Sequence, residues 1–537
     1  MHVIIKKRLI LFIHLLWANV ALADAPAKAE IEASGSALPK QAENPVPLLS
    51  QSRPNVPLLT DGESRALLQM DLVLDQARTL RSVKILTGAG ANAQASLSLD
   101  LPGEWKAVAG KDQEIIFQGE AALPAGKHRF SLSGRAAPGL SLLARLQPRC
   151  LELTFAEGAP LRPTEATMPP LRPAYALHKR GQFQCHTFRI PAIARAKDGS
   201  LLAVYDMRYL SARDLQGHMD IGLSRSTDGG QTWADPVPIM DMGEFGGKPQ
   251  AENGCSDPNI LVDPQTGEIF VSAVWTHGKP GSHQWTGKGS EPGHDLARSS
   301  QFLIVRSTDH GKTWSAPENR TAQLKDPAWH LFAPAPGNGI ALSDGTLVMP
   351  TQGRDAQGKP FSNIMSSRDH GATWSVSTHA RSDTTECAVA TLSDGSLLLN
   401  MRDNRNRAAN ATTNGRAISI TRDLGKTWTI HPADRSALPE PVCMASMISY
   451  TLPDGRHVLI FSNPRHKTSR RDMTIQLSFD DGKTWPEKHR MLLDAKGGSY
   501  STLVMIDPQT IGILYESSQA DLVFQKIPLS ELMPDAE

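Results

Sequence analysis

An eight-residue motif recurs five times and constrains the fold more than any other feature of this chain. Each copy has the pattern Ser/Thr-x-Asp-x-Gly-x-Thr-Trp, and the copies occupy 226–233, 307–314, 367–374, 421–428 and 478–485. In such an octet the Asp accepts backbone N–H bonds, the Gly supplies a positive φ and the Trp anchors the chain to the strands behind it, which is typical of a hairpin turn. We therefore expect the octets to be structural and to contain no active-site residue.

The spacing of the octets predicts how many such units the chain builds. Successive octet aspartates lie 81, 60, 54 and 57 residues apart. A repeat of about 60 residues accommodates a four-stranded sheet, the unit of a β-propeller. Residues 175–537 then hold about six units. The sequence predicts an all-β protein with a six-bladed propeller over 175–537.

Composition excludes several other classes of protein. The 537 residues carry 56 Lys+Arg against 55 Asp+Glu, and this near-neutral balance argues against a nucleic-acid partner. The five cysteines form no CxxC pair, which excludes a zinc ribbon or a disulfide-dense scaffold and leaves at least one thiol unpaired. Three octets contain Gly-Lys-Thr, but none has the upstream Gly of a phosphate-binding loop. HExxH, GxSxG and dinucleotide-binding patterns are also absent from the sequence.

The region before the propeller divides into four segments. Residues 1–23 combine Lys6-Lys7-Arg8, a short apolar run and Ala21-Leu22-Ala23, the pattern of a secretory signal. We expect export to the periplasm, cell surface or medium after cleavage near Ala23, with no integral membrane span. Proline-rich composition predicts linkers over 24–57 and 158–174. Short alternating runs between turn residues predict a β-sandwich over 58–157.

A second motif, Phe188-Arg189-Ile190-Pro191, precedes the first octet. The octet is the Asp-box, and in this combination the chain resembles the bacterial exo-α-sialidases of the six-bladed propeller type over 175–537. The resemblance implies glycoside hydrolase activity (EC 3.2.1.18) on sialylated glycans, glycoproteins or glycolipids, with no metal ion and no organic cofactor. The preceding sandwich is then a candidate carbohydrate-binding domain.

The resemblance implies an arginine clamp for the substrate. A sialic acid carries a carboxylate on its anomeric carbon, and arginine offers planar, permanently charged, bidentate donors for such a group. Two of the three family positions match Arg189 and Arg402. The third matches Arg470, with its neighbour Arg471 as an open alternative.

The nucleophile is expected to be a tyrosine. A carboxylate nucleophile would be repelled by the substrate carboxylate, whereas a tyrosine hydroxyl deprotonated by a nearby Glu avoids that repulsion. Tyr500 in Gly498-Ser499-Tyr500-Ser501 matches the family pattern, and Tyr515 is the alternative. Glu386, which lies 16 residues before Arg402, matches the family base.

The acid/base position is expected on a loop. The resemblance assigns Asp214, between the strand of the first motif and the first octet, to protonate the leaving group and later activate water. Arg208 matches a further family arginine near the substrate carboxylate, which also steadies this loop. Asp206 and Asp220 are the local alternatives to Asp214.

Together these residues predict a retaining cycle through a tyrosyl-enzyme intermediate. The same scaffold is compatible with transfer to an acceptor sugar or with intramolecular transfer. The alternative to an enzyme is a non-catalytic Asp-box propeller that only binds glycans. Loss of Tyr500 or Glu386 would favour that last interpretation, and both residues are present.

Overall fold

The computed structural model describes residues 46–87, 97–164, 167–279, 290–408, 411 and 413–534. The expected signal segment 1–23 and the first part of the expected linker, 24–45, lie outside these residues. The described chain is almost entirely β, as the sequence predicted. It contains no helix that is long and apolar enough to cross a membrane. All five cysteines are buried and unpaired.

The N-terminal part contains two four-stranded sheets. The eight strands of these sheets are β1 (Leu48–Ser52), β3 (Arg65–Leu74), β4 (Arg78–Leu86), β5 (Ser98–Leu99), β6 (Lys106–Ala109), β7 (Glu114–Leu123), β8 (Gly126–Gly134) and β9 (Arg149–Phe155). Strand β2 (Leu58–Leu59) lies between β1 and β3 in the chain but belongs to neither sheet. The strand orders are β1-β3-β8-β5 and β6-β7-β4-β9. Alternate side chains of β3, β4, β7 and β8 are buried and form one shared core, because successive residues of a strand point to opposite faces.

Composition and structure differ in the two segments expected to be linkers. Leu48–Ser52 lies within 24–57 yet forms β1, because Leu49 is buried in the sandwich core and the strand pairs with β3 along its whole length. Strand β10 (Pro173–His178) begins within 158–174 and belongs to the propeller. Strand β2, within the expected sandwich, also pairs with β10. Proline content alone did not reveal these short pairings.

The rest of the chain forms six blades, which confirms the predicted propeller. Blades 1 and 2 contain β11 (Thr187–Arg195), β12 (Leu201–Arg208), β13 (Met219–Ser226), β14 (Val237–Met240), β15 (Asn253–Val262), β16 (Ile269–His277), β17 (Gln301–Ser307) and β18 (Glu318–Asn319). Blade 3 contains β19 (Leu331–Pro334), β21 (Ile340–Ala341), β22 (Leu347–Arg354), β23 (Pro360–Ser367), β24 (Ser375–Val376) and β25 (Arg381–Ser382), and β20 (Gly337–Asn338) pairs with β15.

Blades 4, 5 and 6 follow the same plan. They contain β26 (Thr384–Thr391), β27 (Leu397–Asp403), β28 (Ala417–Thr421), β29 (Thr429–Ile430), β30 (Ser446–Thr451), β31 (His457–Pro464), β32 (Met473–Ser478), β33 (Arg490–Asp494), β34 (Ser501–Asp507), β35 (Thr510–Tyr515) and β36 (Leu522–Pro528). The helical pieces are α1 (Thr321–Leu324) and the 3-10 turns Gln182–Gln184, Gln250–Glu252, Asn404–Arg407, Glu487–His489 and Leu529–Leu532.

Blade 6 is built from both ends of the propeller segment. Strand β10 pairs antiparallel with β36, so that the first strand of this segment completes the sheet formed by the last three. In blades 1 to 5 an octet joins the third strand to the fourth. In blade 6 the corresponding strands are β36 and β10, which no turn connects, and this explains why six blades carry only five octets.

Hydrogen bonds within the octets confirm that they are turns. In the first copy, Asp228 accepts bonds from Ser226 Oγ at 2.8 Å, Thr232 N at 3.0 Å and Thr232 Oγ1 at 2.6 Å. Gly230 N donates to Ser226 Oγ, and Trp233 Nε1 donates to Gly230 O. The bonds around the aspartate recur in the other four copies.

Sandwich and propeller are joined by polar contacts. Glu531 pairs with Arg145 at 2.6 Å and with Arg172 at 2.9 Å. Gln231, in the first octet, donates to the carbonyl oxygen of Leu140 and accepts from the backbone N–H of Leu142. The first octet therefore has a second structural role at this junction.

Candidate active site

A cavity of about 460 Å³ opens among the inner strands of the blades. Residues of all six blades or of their connecting segments line it, and they include Arg189, Asp214, Asp257, Glu386, Arg402, Arg470 and Tyr500. The lining contains five arginines and three carboxyl groups. The cavity is therefore a charged pocket suited to an anionic, polar ligand.

Irregularities in the inner strands aim three of these side chains into the pocket. The ladders of β11, β15 and β26 shift register next to Arg189, Asp257 and Glu386 respectively. The bulges in β11 and β15 contain Pro191 and Pro258, which have no N–H to donate to a ladder. A β-bulge bends a strand and re-aims its side chains, and bulges are frequent next to active sites.

The backbone at two of these bulges is strained. Ile190 has φ 57° and Asp257 has φ 59°, in the left-handed region that non-glycine residues rarely adopt. For a β-branched residue such as Ile190 this conformation is a real outlier, and such residues cluster at functional sites. The Arg-Ile-Pro motif thus encodes a local distortion that presents Arg189 to the pocket.

Tyr500 and Glu386 are in direct contact at the centre of the pocket. The Tyr500 hydroxyl donates a hydrogen bond to Glu386 Oε1. Arg402 Nη1 donates to Glu386 Oε2 at 2.5 Å and to Tyr500 Oη at 3.0 Å. Burial and the adjacent Glu386 raise the pKa of Tyr500 well above its ordinary value, although Arg402 and Arg470 act to lower it. The resting hydroxyl is therefore protonated and has a proton acceptor within hydrogen-bond reach.

The three expected clamp arginines converge on Tyr500. The guanidinium carbons of Arg189 and Arg470 lie 5.4 and 5.7 Å from the centroid of its ring. Of the residues described, Arg470 donates only to neutral oxygens, Ser499 Oγ and Val442 O, each at 3.1 Å. Arg402 Nε is buried and has no hydrogen-bond partner among the residues that the structure describes. Arg470 therefore leaves its charge available to an anion, and Arg402 keeps one unpaired donor.

Asp214 lies at the edge of the pocket between two arginines. Its Oδ1 accepts from Arg208 Nη1 at 2.7 Å and from Arg189 Nη1 at 3.1 Å, and its side chain is 56% exposed. Partial burial favours the neutral acid, but Arg208 and Arg189 together hold the pKa of Asp214 below its ordinary value. Without a ligand, Asp214 is therefore ionised at neutral pH.

Arg208 does not line the pocket, although the sequence suggested contact with the substrate. It is 1% exposed and donates to Asp206 Oδ2, to the carbonyl oxygen of Ala212 and to Asp214. The alternative acid Asp206 is fully buried and also accepts from Ser256 Oγ. Through its bonds to Ala212 and Asp214, Arg208 contacts the Asp214 loop; its expected contact with the substrate stays a prediction.

The alternative residues all lie outside the pocket lining. Arg471 is 54% exposed and contacts His466 and Asp472. Tyr515 is buried in the core that blade 6 shares with its neighbour, where its hydroxyl donates to Gln525. Among these candidates the structure brings Arg470 and Tyr500 into the pocket.

Asp220, the remaining alternative, belongs to a separate cluster. Ligand-type atoms of His218, Asp220 and Asp241 lie within 4.8 Å of one another, and Asp220 accepts from the Tyr209 hydroxyl at 2.8 Å. Burial, with a further contribution from Asp241, raises the pKa of Asp220 to about 7. None of the three residues lines the pocket, and the absence of a catalytic metal stays a prediction.

Sequence reasoning missed two acidic residues of the site. Glu516, which is partly buried, accepts from Arg189 Nε at 3.1 Å, from Arg189 Nη2 at 3.2 Å and from Ile190 N at 3.0 Å. Asp257 lines the pocket, and burial together with Asp206 raises its pKa well above the ordinary value. A neutral Asp257 can donate a hydrogen bond to a ligand. Two sequence features could have revealed them: Glu516 directly follows Tyr515, and Asp257 lies in a Ser-Asp-Pro sequence within a strand.

Comparisons with known proteins agree with the fold. Residues 199–513 match the family described as BNR repeat-like domain. The sialidase of Bacteroides fragilis is 39% identical over 520 residues, covering 89% of this chain and 94% of that protein. The sialidase of Micromonospora viridifaciens is 34% identical, covering 67% of this chain and 54% of that protein. The solved structure of a Hadza microbial sialidase superposes with a TM-score of 0.80 at 36% identity, covering 90% of this chain and 99% of that one.

Proposed function

The chain belongs to the sialidase family of glycoside hydrolases, and on this premise we propose that it removes terminal sialic acids from glycoconjugates with retention, through an intermediate on Tyr500. The observation that carries the proposal is the contact among Tyr500, Glu386 and Arg402 at the centre of the pocket. It combines a nucleophile, a proton acceptor and a cation that stabilises the phenolate.

Substrate binding begins at the arginines. The substrate carboxylate accepts hydrogen bonds from Arg189, Arg402 and Arg470. Arg470 has no anionic partner among the described residues, and Arg402 Nε has no partner at all among them. Glu516 fixes Arg189 through two bonds, so that this guanidinium is oriented before the substrate arrives.

Binding also changes the protonation of Asp214. The substrate carboxylate competes with Asp214 for Arg189 Nη1 and adds a negative charge beside it. Both effects raise the pKa of Asp214 from its lowered resting value, because a lost cation and a gained anion each disfavour the carboxylate. Asp214 can then take up the proton that it later donates to the glycosidic oxygen.

The chemical steps follow from the same contacts. Tyr500 Oη attacks the anomeric carbon, Glu386 takes the phenolic proton, and the bond to the leaving oxygen breaks as Asp214 protonates that oxygen. A water molecule, deprotonated by Asp214, then attacks the same carbon. The Tyr500 oxygen departs and recovers its proton from Glu386. Two displacements at one carbon retain the anomeric configuration.

The test uses purified protein without residues 1–23 and a fluorogenic aryl α-sialoside. We expect release of sialic acid, first as the α anomer when the reaction is followed by NMR. An anhydro product, or a sialylated acceptor such as lactose, would assign the same site to transfer instead of hydrolysis. Folded protein that releases nothing between about pH 4 and 8 would favour the non-catalytic, glycan-binding alternative.

Export and a role for the sandwich complete the proposal. The basic and apolar residues of 1–23 support export with cleavage near Ala23, where sialylated glycoproteins and glycolipids are accessible. N-terminal sequencing of the protein from culture fractions tests this.

We also propose that the sandwich binds carbohydrate, and a glycan array probed with the full chain and with a Tyr500→Phe variant tests it.

A further inference from the structure

The pocket contains two arginines that the proposed reaction does not use. Arg354 ends strand β22 of blade 3, and Arg407 ends the 3-10 turn that follows β27 of blade 4. Both line the same cavity as Tyr500. They approach it from blades 3 and 4, whereas Asp214 and Arg189 approach from blade 1.

Neither arginine has an anionic partner among the residues that the structure describes. Arg354, which is partly buried, makes no side-chain hydrogen bond or ion pair with them. Within the described part of the chain, Arg407 donates only to Asn404 Oδ1, at 3.3 Å. By contrast, Arg189 and Arg402 each pair with a carboxylate at 3.1 Å or less.

On balance, the surroundings of both guanidinium groups disfavour their positive charge. Burial lowers the pKa of Arg354. Burial, together with repulsion from Arg402 and from Arg470, lowers the pKa of Arg407, although Glu386 and Tyr500 act to raise it. A cation that is partly removed from water without a counter-ion costs free energy, and a ligand can recover that cost.

The charge balance of the pocket also indicates an excess of positive charge. Among the residues that the structure describes, five arginines face three carboxyl groups in the lining. One of those groups, Asp257, has a raised pKa and contributes little negative charge. A single substrate carboxylate at the clamp therefore leaves an excess of positive charge on the side of blades 3 and 4.

We propose, on the basis of the proposed sialidase function, that Arg354 and Arg407 bind a second anionic group of the substrate. The group is a carboxylate or a sulfate ester close to the terminal sialic acid, since both oxyanions match the planar donors of arginine. The carboxylate source is an adjacent sialic acid, and the sulfate source is a sulfated neighbouring sugar. The enzyme then prefers multiply charged glycans over those with one negative charge.

The experiment measures kcat/KM for three substrates with wild-type protein and with an Arg354→Gln/Arg407→Gln double variant. The substrates are α2,3-sialyllactose, an α2,8-linked sialic acid dimer and a sulfated α2,3-sialyllactose. Arg471→Gln is the matched control, because it removes a positive charge outside the pocket. Thermal unfolding of each variant verifies that it is folded.

We expect wild-type protein and the Arg471→Gln control to favour a doubly charged substrate by about five-fold or more, the effect of one partly exposed ion pair. The double variant should lose this preference, and high salt should weaken it in the wild type. A preference for the dimer alone identifies the carboxylate as the ligand, and a preference for the sulfated sugar alone identifies the sulfate.

Two results overturn the inference while leaving the proposed function intact. One is a wild-type enzyme that cleaves all three substrates without preference. The other is a double variant that loses the same factor on all three, since the arginines would then bind the part of the sugar common to them. If wild-type protein releases sialic acid from none, the proposed function fails and this inference fails with it.

Discussion

Replacing Tyr500 with Phe removes one hydroxyl group from the centre of the pocket and changes almost nothing else. The hydroxyl donates to Glu386 and accepts from Arg402 at 3.0 Å, and the residue is 5% exposed. The phenyl ring fits the same space between the guanidinium groups of Arg189 and Arg470. The substitution therefore separates the chemistry of the hydroxyl from the packing of the ring.

The structure sets the size of the expected effects. Glu386 loses one donor but keeps Arg402 at 2.5 Å, so that its charge stays paired. Loss of one buried hydrogen bond should lower the free energy of unfolding by about 1–3 kcal/mol. Without the nucleophile and its proton transfer, kcat should fall by about 10²–10⁴-fold. Residual turnover is expected, because the arginines and Asp214 still stabilise an oxocarbenium-like transition state that water can attack.

A fluorinated sialoside that slows the second step provides the assay. Wild-type protein should become labelled on the peptide that contains Tyr500, as detected by mass spectrometry, and the Tyr500→Phe variant should not be labelled. Tyr515→Phe is the matched control, because Tyr515 lies in the core of blade 6, and it should be labelled normally. A label on the Tyr515 peptide, or an adduct formed by the Tyr500→Phe variant, would refute the assignment.

Three further substitutions test other parts of the structure. Arg470→Lys should lower kcat/KM by about 10- to 100-fold, the loss of one charge-assisted hydrogen bond, whereas Arg471→Lys should not; equal kinetics for the two would remove Arg470 from the clamp. Glu516→Gln should raise KM by releasing Arg189. Since the folded-state pKa of Glu516 is lowered, wild-type stability should fall as pH drops through that pKa, and melting of the variant should lack this step; an unchanged step would assign it to another group. Asp228→Ala should reduce the free energy of unfolding by about 1–2 kcal/mol with near-normal kcat, and normal melting with abolished turnover would contradict the structural role of the octet.

The sequence determined the parts of this protein that depend on contiguous residues. Each octet carries its own acceptor, its own glycine and its own tryptophan, so that the turn is specified within eight residues, and repetition then predicted the blades. The Arg189-Ile190-Pro191 motif is equally local, since its proline interrupts the ladder beside the arginine that it presents. The resemblance to sialidases rested on these two motifs, and the comparisons confirmed the family.

Only the tertiary structure decided how distant residues combine. Arg470 and Arg471 are adjacent and chemically identical, and the direction of the chain after β31 alone turns one into the pocket and the other to solvent. Arg189 meets Glu516 across more than 300 positions, because strand β11 of blade 1 packs against the strands of blade 6. Such pairings leave no periodic signal in a single sequence, since they depend on how the sheets pack around the centre. The same packing brings Arg354 and Arg407 to the pocket wall, where neither has an anionic partner among the described residues.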